Sequence, residues 1–573
     1  MEDMNMKRYL ATLLALALAL FCFSAAVAEN RPDTWIADRT ITIQCYVDDI
    51  GYALPADING TPVMRRITEL TGIKLDLRYT PGESDETVMA AQLAAGNIPD
   101  AIVSYLNNST RPEFPILLKA AKEGLFADMT PYLADTSVYR NYLEHDYLPA
   151  DARDNITFRK DLDGAYIFQL SIPAVDRSTE YIADDKYIGG LYIRADIAAD
   201  LDVAAFSLNT QEELYDLCVR IKEGNYTDDN GNPIYPIGPK YWGGSYDSLI
   251  NVVRSYGFSP FGSQYGLTTD GQIVHEAQTN FVYDKISFAR KLLADGLMHP
   301  EFFTMDATRC EELCKSKGVA IISDIHNYVE LIYSSEDWIP LGAINDVTGS
   351  KSSYTSGKGG YGCWAISANA KNPEEILRFF DFLATREGKL LCEYGVEGLT
   401  YNMVDGYPVL TEEALAKLND GDSDWMINTI GADFGGAGFV FLGYMLTNTD
   451  SKVEFGESRP GAGTGTTYAR AVALAEQNPE KTIIRIPGLD VSAYLSVDEL
   501  EDVKANMDLL NYKEMVIQAI YANSDDEVKA IVESFRAQLK AAGIDRLYDY
   551  CEAIYAENPE TIQLIPVEAT VAE

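Results

Sequence analysis

The amino-acid sequence predicts an α/β fold of at least two lobes with a helical C-terminal region. Three observations carry this. The 573 residues exceed what one hydrophobic core supports, since domains typically hold about 100 to 200 residues. From Ile41 onward, short apolar runs alternate with helical stretches, the pattern of a parallel or mixed sheet covered on both faces. The last stretch carries helix-start signals at Ser496 with Glu499 and at Ser524 with Glu527, capping boxes in which each side chain satisfies the other's free backbone N–H.

Taken in order, an apolar strand from Ile41 leads to a helix near Pro62 to Thr71, stopped by Gly72, and to a strand Ile73 to Leu77. A helix from about Asp85 to Ala95 ends at Gly96 and precedes the strand Ala101 to Val103. Leu191 to Ile193 form a further strand, Thr210 with Glu213 opens a helix by a capping box, and another helix runs from about Asn280 toward Leu293. Val319 to Ile322 read as a strand, followed by a polar loop from Asp346 to Gly362. Asn372 then caps a helix with Pro373 at its first position, where the missing N–H is harmless. Repeats and low-complexity linkers are absent from the sequence, so short crossovers are expected between the lobes.

Composition narrows the function. Hydrophobic residues make up 47% of the chain and 11% are aromatic, with 36 Tyr, enough apolar surface for packed cores. Lys and Arg number 46 against 87 Asp and Glu, a net charge of -41. Nucleic-acid partners are therefore not expected, because that binding draws on cationic contacts to phosphates. Exposed charges are screened beyond roughly 8 Å, so an anionic solute in a locally neutral cleft stays open.

The first 28 residues read as an export signal: Lys7 and Arg8 form a basic start, Leu10 to Phe23 an apolar stretch, and Ala26-Val27-Ala28 a cleavage site. A retained anchor or lipid attachment at Cys22 are the alternatives, the latter disfavoured by the bulky Phe21 before it. An exported, periplasmic or cell-surface protein is the expectation. Seven cysteines then remain, an odd number set largely in apolar runs, which suggests buried thiols. Cys310 and Cys314 lack nearby ligands to complete a zinc site, and no cofactor or metal is expected.

Five segments occur in a telling order. They are Ile67-Thr68-Glu69-Leu70-Thr71-Gly72-Ile73-Lys74, then Ala94-Ala95-Gly96-Asn97-Ile98-Pro99-Asp100, Gly190-Leu191-Tyr192-Ile193-Arg194-Ala195-Asp196, Gly296-Leu297-Met298-His299-Pro300-Glu301-Phe302, and Glu393-Tyr394-Gly395-Val396-Glu397-Gly398-Leu399-Thr400-Tyr401. Together they resemble family 1 of the extracellular solute-binding proteins of ABC importers, the carbohydrate-type group labelled LplA-like or LipO-like; Ala95 stands where that group has Ser. The resemblance implies a periplasmic-binding-protein-like type II fold, with two lobes of discontinuous segments closing on a ligand by a hinge. Lobe 1 is expected over 39–160 and 325–370, and lobe 2 over 161–324 and 371–573. It further implies a monomer that captures an oligosaccharide or related polar solute between the lobes and passes it to the transmembrane subunits of an ABC permease.

A sugar site needs aromatic planes and fixed amides or carboxylates. Ser104, Tyr105, Asn107 and Asn108 follow a strand, at the end where open α/β sheets place ligands; an ordinary polar loop is the plainer reading. Lys240, Tyr241, Trp242, Tyr246 and Asp247 surround the pair Gly243-Gly244, whose backbone could approach a ligand. Tyr361 and Trp364 form a third aromatic group, though Trp364 also enters an apolar strand. Asp324, His326 and Tyr328, with Arg177 or Tyr187 near a crossover, complete the candidates. Asp228-Asp229-Asn230-Gly231-Asn232-Pro233 resembles the calcium loop of some relatives, but no acid follows before Lys240 to close the ligand set, so a β-turn is expected.

The four histidines are scattered, and the sequence contains no G-x-S-x-G, H-E-x-x-H or phosphate-cradling glycine loop. Catalysis is therefore not expected. A glycoside hydrolase needs only two carboxylates, which keeps a secreted carbohydrate-active enzyme as the alternative, beside a ligand sensor.

Overall fold

The computed structural model describes residues 31–46, 55–79, 85–105, 113–144, 153–169, 190–240, 243–258, 264–324, 337–351, 353–356, 362–434, 455, 483–486, 490–569 and 571. The chain first lays down β1 (Arg39–Tyr46), α1 (Pro62–Thr71), β2 (Ile73–Tyr79), α2 (Asp85–Ala94), β3 (Ala101–Tyr105), α3 (Glu113–Lys122) and β4 (Ile167–Gln169). β1 lies between β2 and β3 and is parallel to both, so the returns are made by helices, as parallel neighbours require. Thr61 starts α1 by accepting the Met64 N–H, and Gly72 ends it at φ 78°. A Cβ at Gly72 would stand 2.4 Å from the Ala37 carbonyl oxygen, so only glycine lets the chain turn there into β2.

A second sheet follows. This stretch of chain contains β5 (Gly190–Arg194), α4 (Ala195–Asp200), α5 (Gln211–Glu223), β6 (Tyr235–Gly238), α6 (Tyr246–Leu249), β7 (Tyr265–Thr268), β8 (Ile273–His275), α7 (Phe281–Ala294), α8 (Ala307–Lys315), β9 (Val319–Asp324) and β10 (Trp338–Gly342), of which β7 and β8 pair with each other outside the second sheet. The strand order of the second sheet is β10-β5-β9-β6, with β5 antiparallel to both neighbours and β6 parallel to β9. The capping box expected at Thr210 and Glu213 is present at the start of α5.

The chain passes through β11 (Ser353–Ser356) and returns to the first sheet as β12 (Gly362–Ile366), antiparallel to both β3 and β4. The first sheet thus has the order β2-β1-β3-β12-β4. Next come α9 (Pro373–Ala384), α10 (Arg386–Tyr394), β13 (Tyr401–Val404), β14 (Tyr407–Leu410) and α11 (Glu412–Asn419). Ile376, Phe379, Phe380 and Leu391 of α9 and α10 pack on Ile41, Ile43, Val103, Phe168 and Trp364 of the first sheet. Asp381 fixes α9 further: its carboxylate accepts the backbone N–H groups of Ser137, Val138 and Tyr139 at 2.7, 2.7 and 3.0 Å.

β15 (Ile483–Ile486) pairs in parallel with β11, placing a strand inside the loop expected from Asp346 to Gly362. The C-terminal region contains α12 (Glu501–Met507), α13 (Tyr512–Ile520), α14 (Asp525–Ala542), α15 (Ile544–Glu557) and β16 (Ile565–Val567), the last pairing with β7. The helix expected to start at Ser496 starts at Glu501 instead. Before it runs a 3-10 turn, Val491–Ser496, capped by the Asp490 carboxylate. α14 does begin at Ser524, which accepts the Glu527 N–H; the Glu527 carboxylate takes the Asn523 N–H, one residue earlier than a capping box would.

Pairing and packing move the expected lobe boundaries. β4 lies beyond 160 but pairs with β12, Cys363 opposite Gln169, so it belongs to the first sheet. β10 lies within 325–370 but pairs with β5 of the second sheet. Residues 371–434, expected in lobe 2, cover the first sheet with their apolar helices. The C-terminal helices do pack with the second sheet, where Val516, Val532 and Leu547 share a core with Ile193, Ile286 and Ile321. That core also reaches Ile102, Phe114 and Leu117 around the first sheet. The leader, 1–28, and the crossover, 170–189, lie outside the described residues.

Candidate functional site

β1, β3 and β4 all end on one edge of the first sheet, where antiparallel β12 begins. Along that edge Tyr46 stands opposite Ser104, Ser104 opposite Cys363, and Cys363 opposite Gln169. In-register neighbours point to the same face of a sheet. Tyr46 and Cys363 share a core with Phe114 and Leu117 of α3, so this row faces α3. Cys45, Val103, Trp364 and Phe168, one step down each strand, face the opposite core.

Ser104 and Gln169 are 0% and 1% exposed. Ser104 Oγ and Gln169 Oε1 nevertheless have no hydrogen-bond partner among the described residues, a condition that costs about 1–3 kcal/mol for each buried group. Native interiors rarely leave such groups unless something else supplies the partner. Between them the Cys363 thiol is pushed up in pKa, first by burial and then by the buried Glu113 carboxylate that opens α3.

The chain leaves this edge at Gln169 and enters the second sheet at Gly190. Gly190 is paired with Asp324 at the end of β9, and Gly238 at the end of β6 is paired with Ile322. Ser323 Oγ near this second edge and Ser245 Oγ at the start of α6 are likewise buried without a partner among the described residues. Lys240 follows β6, and its Nζ lies 4.0 Å from an oxygen of Asp247, whose other oxygen accepts Lys513 Nζ at 2.9 Å. Two ammonium groups thus share one carboxylate, leaving a local positive excess in a chain of net charge -41.

The structure separates the predicted residues. Tyr105 and Asp324, expected in loops after their strands, are instead the last residues of β3 and β9, paired with Gly362 and Gly190. Asn107, Asn108, Arg177, Tyr187, Tyr241, Trp242, His326, Tyr328 and Tyr361 lie outside the described residues. Trp364 is a correction: it is fully buried between Phe168 and Phe380, with centroid distances of 4.5 and 4.4 Å, and its Nε1 donates to Tyr139 at 2.7 Å. Gly244 is another, since a Cβ there would stand 2.7 Å from the Phe302 carbonyl oxygen. Its missing side chain admits the turn at Phe302 to Met305. Gln169 and Lys513 were not foreseen. A polar residue closing the apolar run Ile167-Phe168 was the available signal for Gln169.

Tyr246 is also a correction. Its ring is buried, and its hydroxyl accepts Lys285 Nζ at 2.8 Å. Lys285 donates to Glu276 Oε1 at 2.6 Å, and Tyr512 donates to Glu276 Oε2 at 3.0 Å, closing an internal network between α6, α7 and α13. His275 lies beside it. Its Nδ1 accepts the Ala277 N–H at 3.0 Å and its Nε2 faces Gln264 Oε1 at 2.9 Å, so the ring is neutral with its proton on Nε2. Burial first, and Lys285 second, push its pKa down from 6.5 to about 3. The unfolded chain therefore binds a proton between these values that the native chain does not, and stability falls as pH drops from 6.5 toward 3. Urea unfolding across that window should show a shallower decline in His275→Gln than in the parent; equal slopes would contradict the assignment.

The segments that carried the resemblance hold the scaffold. Asp100 accepts the Thr42 N–H at 2.9 Å and Arg39 Nη2 at 3.0 Å, anchoring β1. Arg194 grips Asp196 with two bonds of 3.0 and 2.6 Å and donates to the carbonyls of Thr227 and Lys317. Ile237 of β6 exchanges backbone bonds with Leu297 and His299 at 2.9 and 2.8 Å. Thr400 Oγ1 donates to the Tyr394 carbonyl at 2.6 Å and accepts the Val396 N–H at 2.9 Å. Asp228 caps its own turn, accepting from the backbone of Asn230 and Asn232 and from the Asn232 side chain. Among the described residues no group of three His, Cys, Asp or Glu is placed to hold a metal ion, and no helix is long and apolar enough to cross a membrane.

Comparison with known proteins gives a consistent picture. Residues 58–390 match the family described as bacterial extracellular solute-binding protein. The polygalacturonan/rhamnogalacturonan-binding protein YtcQ of Bacillus subtilis is 24% identical over 84% of this chain and 88% of its own. Lipoprotein LipO of the same organism is 23% identical over 60% of this chain, and the match spans 65% of LipO. Among solved structures, the S. pneumoniae ABC-transporter substrate binding protein FusA in complex with kestose superposes with a TM-score of 0.62 at 16% identity, covering 91% of this chain and 99% of FusA. That likeness shows the fold, the type II periplasmic-binding-protein-like architecture.

Proposed function

The chain belongs to the bacterial extracellular solute-binding protein family, and from that premise we propose that it captures an oligosaccharide or related polar solute outside the cytoplasmic membrane. The solute lies between the two sheet edges joined through Gln169 and Gly190, hinge closure retains it, and the monomer hands it unaltered to an ABC permease. The family match over more than half the chain carries this reading. The names of YtcQ and FusA, one a pectic-polysaccharide binder and the other an ABC substrate-binding protein, support the solute class and the partner. Lys240 and Asp247 contribute polar groups from the second edge, in line with ligand placement beyond strand ends.

Isothermal titration against pectic, fructan and N-glycan oligosaccharides, with chromatography of the recovered glycan, tests it. The expected result is one-to-one binding of at least one glycan, recovered at its original length. Shortened glycan would establish the enzyme alternative, and no heat with any glycan would overturn capture of an oligosaccharide.

A further inference from the structure

Ser104 and Gln169 flank Cys363 on one face of the first sheet, about 10 Å apart as residues two strands away must be. Both are enclosed, and both leave a side-chain oxygen without a partner among the described residues. The two atoms left without a partner are the Gln169 amide oxygen, which accepts only, and the Ser104 hydroxyl, which can do either, and the buried Glu113 carboxylate acts on the Cys363 thiol between them. A carboxylate or phosphate would be repelled there. A neutral hydroxyl is complementary, because it brings the missing donor, and its hydrogen bond is strongest where water is excluded.

We infer that Ser104 and Gln169 form a subsite for a hydroxyl-bearing neutral sugar unit of the captured solute. The inference rests on the capture function proposed above, whose hinge opening supplies access to the sheet edge. It divides the labour between the lobes: the first edge reads neutral hydroxyls, while the second, with Lys240 and Lys513 about Asp247, tolerates charge. Any acidic unit of a mixed oligosaccharide is therefore directed away from Gln169.

The test uses Gln169→Leu and Ser104→Ala, each melted without glycan and then titrated with whichever oligosaccharide binds the parent. Removing an unsatisfied buried oxygen leaves stability unchanged or raised, so Gln169→Leu is expected to melt at or above the parent. Its affinity is expected to fall by about tenfold or more, the size of a lost hydrogen bond left unpaired in the complex. Ser104→Ala, smaller by one atom, guards against misfolding and should shift affinity in the same direction. Parent-like affinity in both variants would overturn the subsite while leaving capture intact. A parent that binds no glycan would overturn both.

Discussion

Trp364→Ala is expected to lower the unfolding free energy by about 3–5 kcal/mol, the range for emptying a buried large aromatic site. The indole is stacked between Phe168 and Phe380, the latter at an interplanar angle of 1°, and meets Tyr139 edge-on at 5.2 Å. It therefore ties β12 to β4, to α9 and to the segment that Asp381 caps. Its deletion leaves a cavity against three aromatic rings and takes away the donor that Tyr139 accepts. Trp364→Phe keeps much of the stacking and should lose distinctly less. Urea unfolding measures both. An alanine variant as stable as the parent but weakened in glycan binding would restore Trp364 to the role of a ligand plane.

Lys285→Met is expected to destabilise by a similar amount, about 3–5 kcal/mol, because it strands a buried carboxylate. Lys285 and Glu276 side chains are each 3% exposed and 2.6 Å apart. Burial alone would lower the lysine's pKa; the Glu276 charge and Tyr246 outweigh it and hold it above the usual value. The ammonium also lies 5.4 and 5.8 Å from the ring centres of Tyr246 and Tyr512, so one charge organises three elements. Removing both partners, as in Lys285→Met with Glu276→Leu, should recover much of the loss, since an apolar pair replaces a desolvated ionic one. A single variant within about 0.5 kcal/mol of the parent, the usual range for surface changes, would show that the pair is solvated.

Much of the scaffold is legible locally. The stop at Gly72, the cap at Thr210 and the proline at the head of α9 each sit where backbone chemistry dictates. Sheet membership is not local. β4 is three residues long and is placed by Cys363, and β10 joins the second sheet only through its pairing with β5. For the same reason the site is legible in part. Strand ends point to Ser104 and Asp324, but whether an aromatic beside glycine faces ligand or core depends on distant partners. Phe380 decides it for Trp364, and Lys285 for Tyr246. Lys513 reaches Asp247 across 266 positions, a distance that no sequence pattern spans. The resemblance, too, was carried by residues that brace strands and turns, which identifies a family without identifying its solute.

The melting midpoint of the full-length protein, followed as one oligosaccharide is raised from below to far above its dissociation constant, tests the central claim most directly. A solute held only by the folded chain adds about 2.7 kcal/mol at a hundredfold excess over that constant, so the midpoint should climb with each increment and the sugar should emerge intact. A midpoint that stays fixed across pectic, fructan and N-glycan oligosaccharides would contradict it.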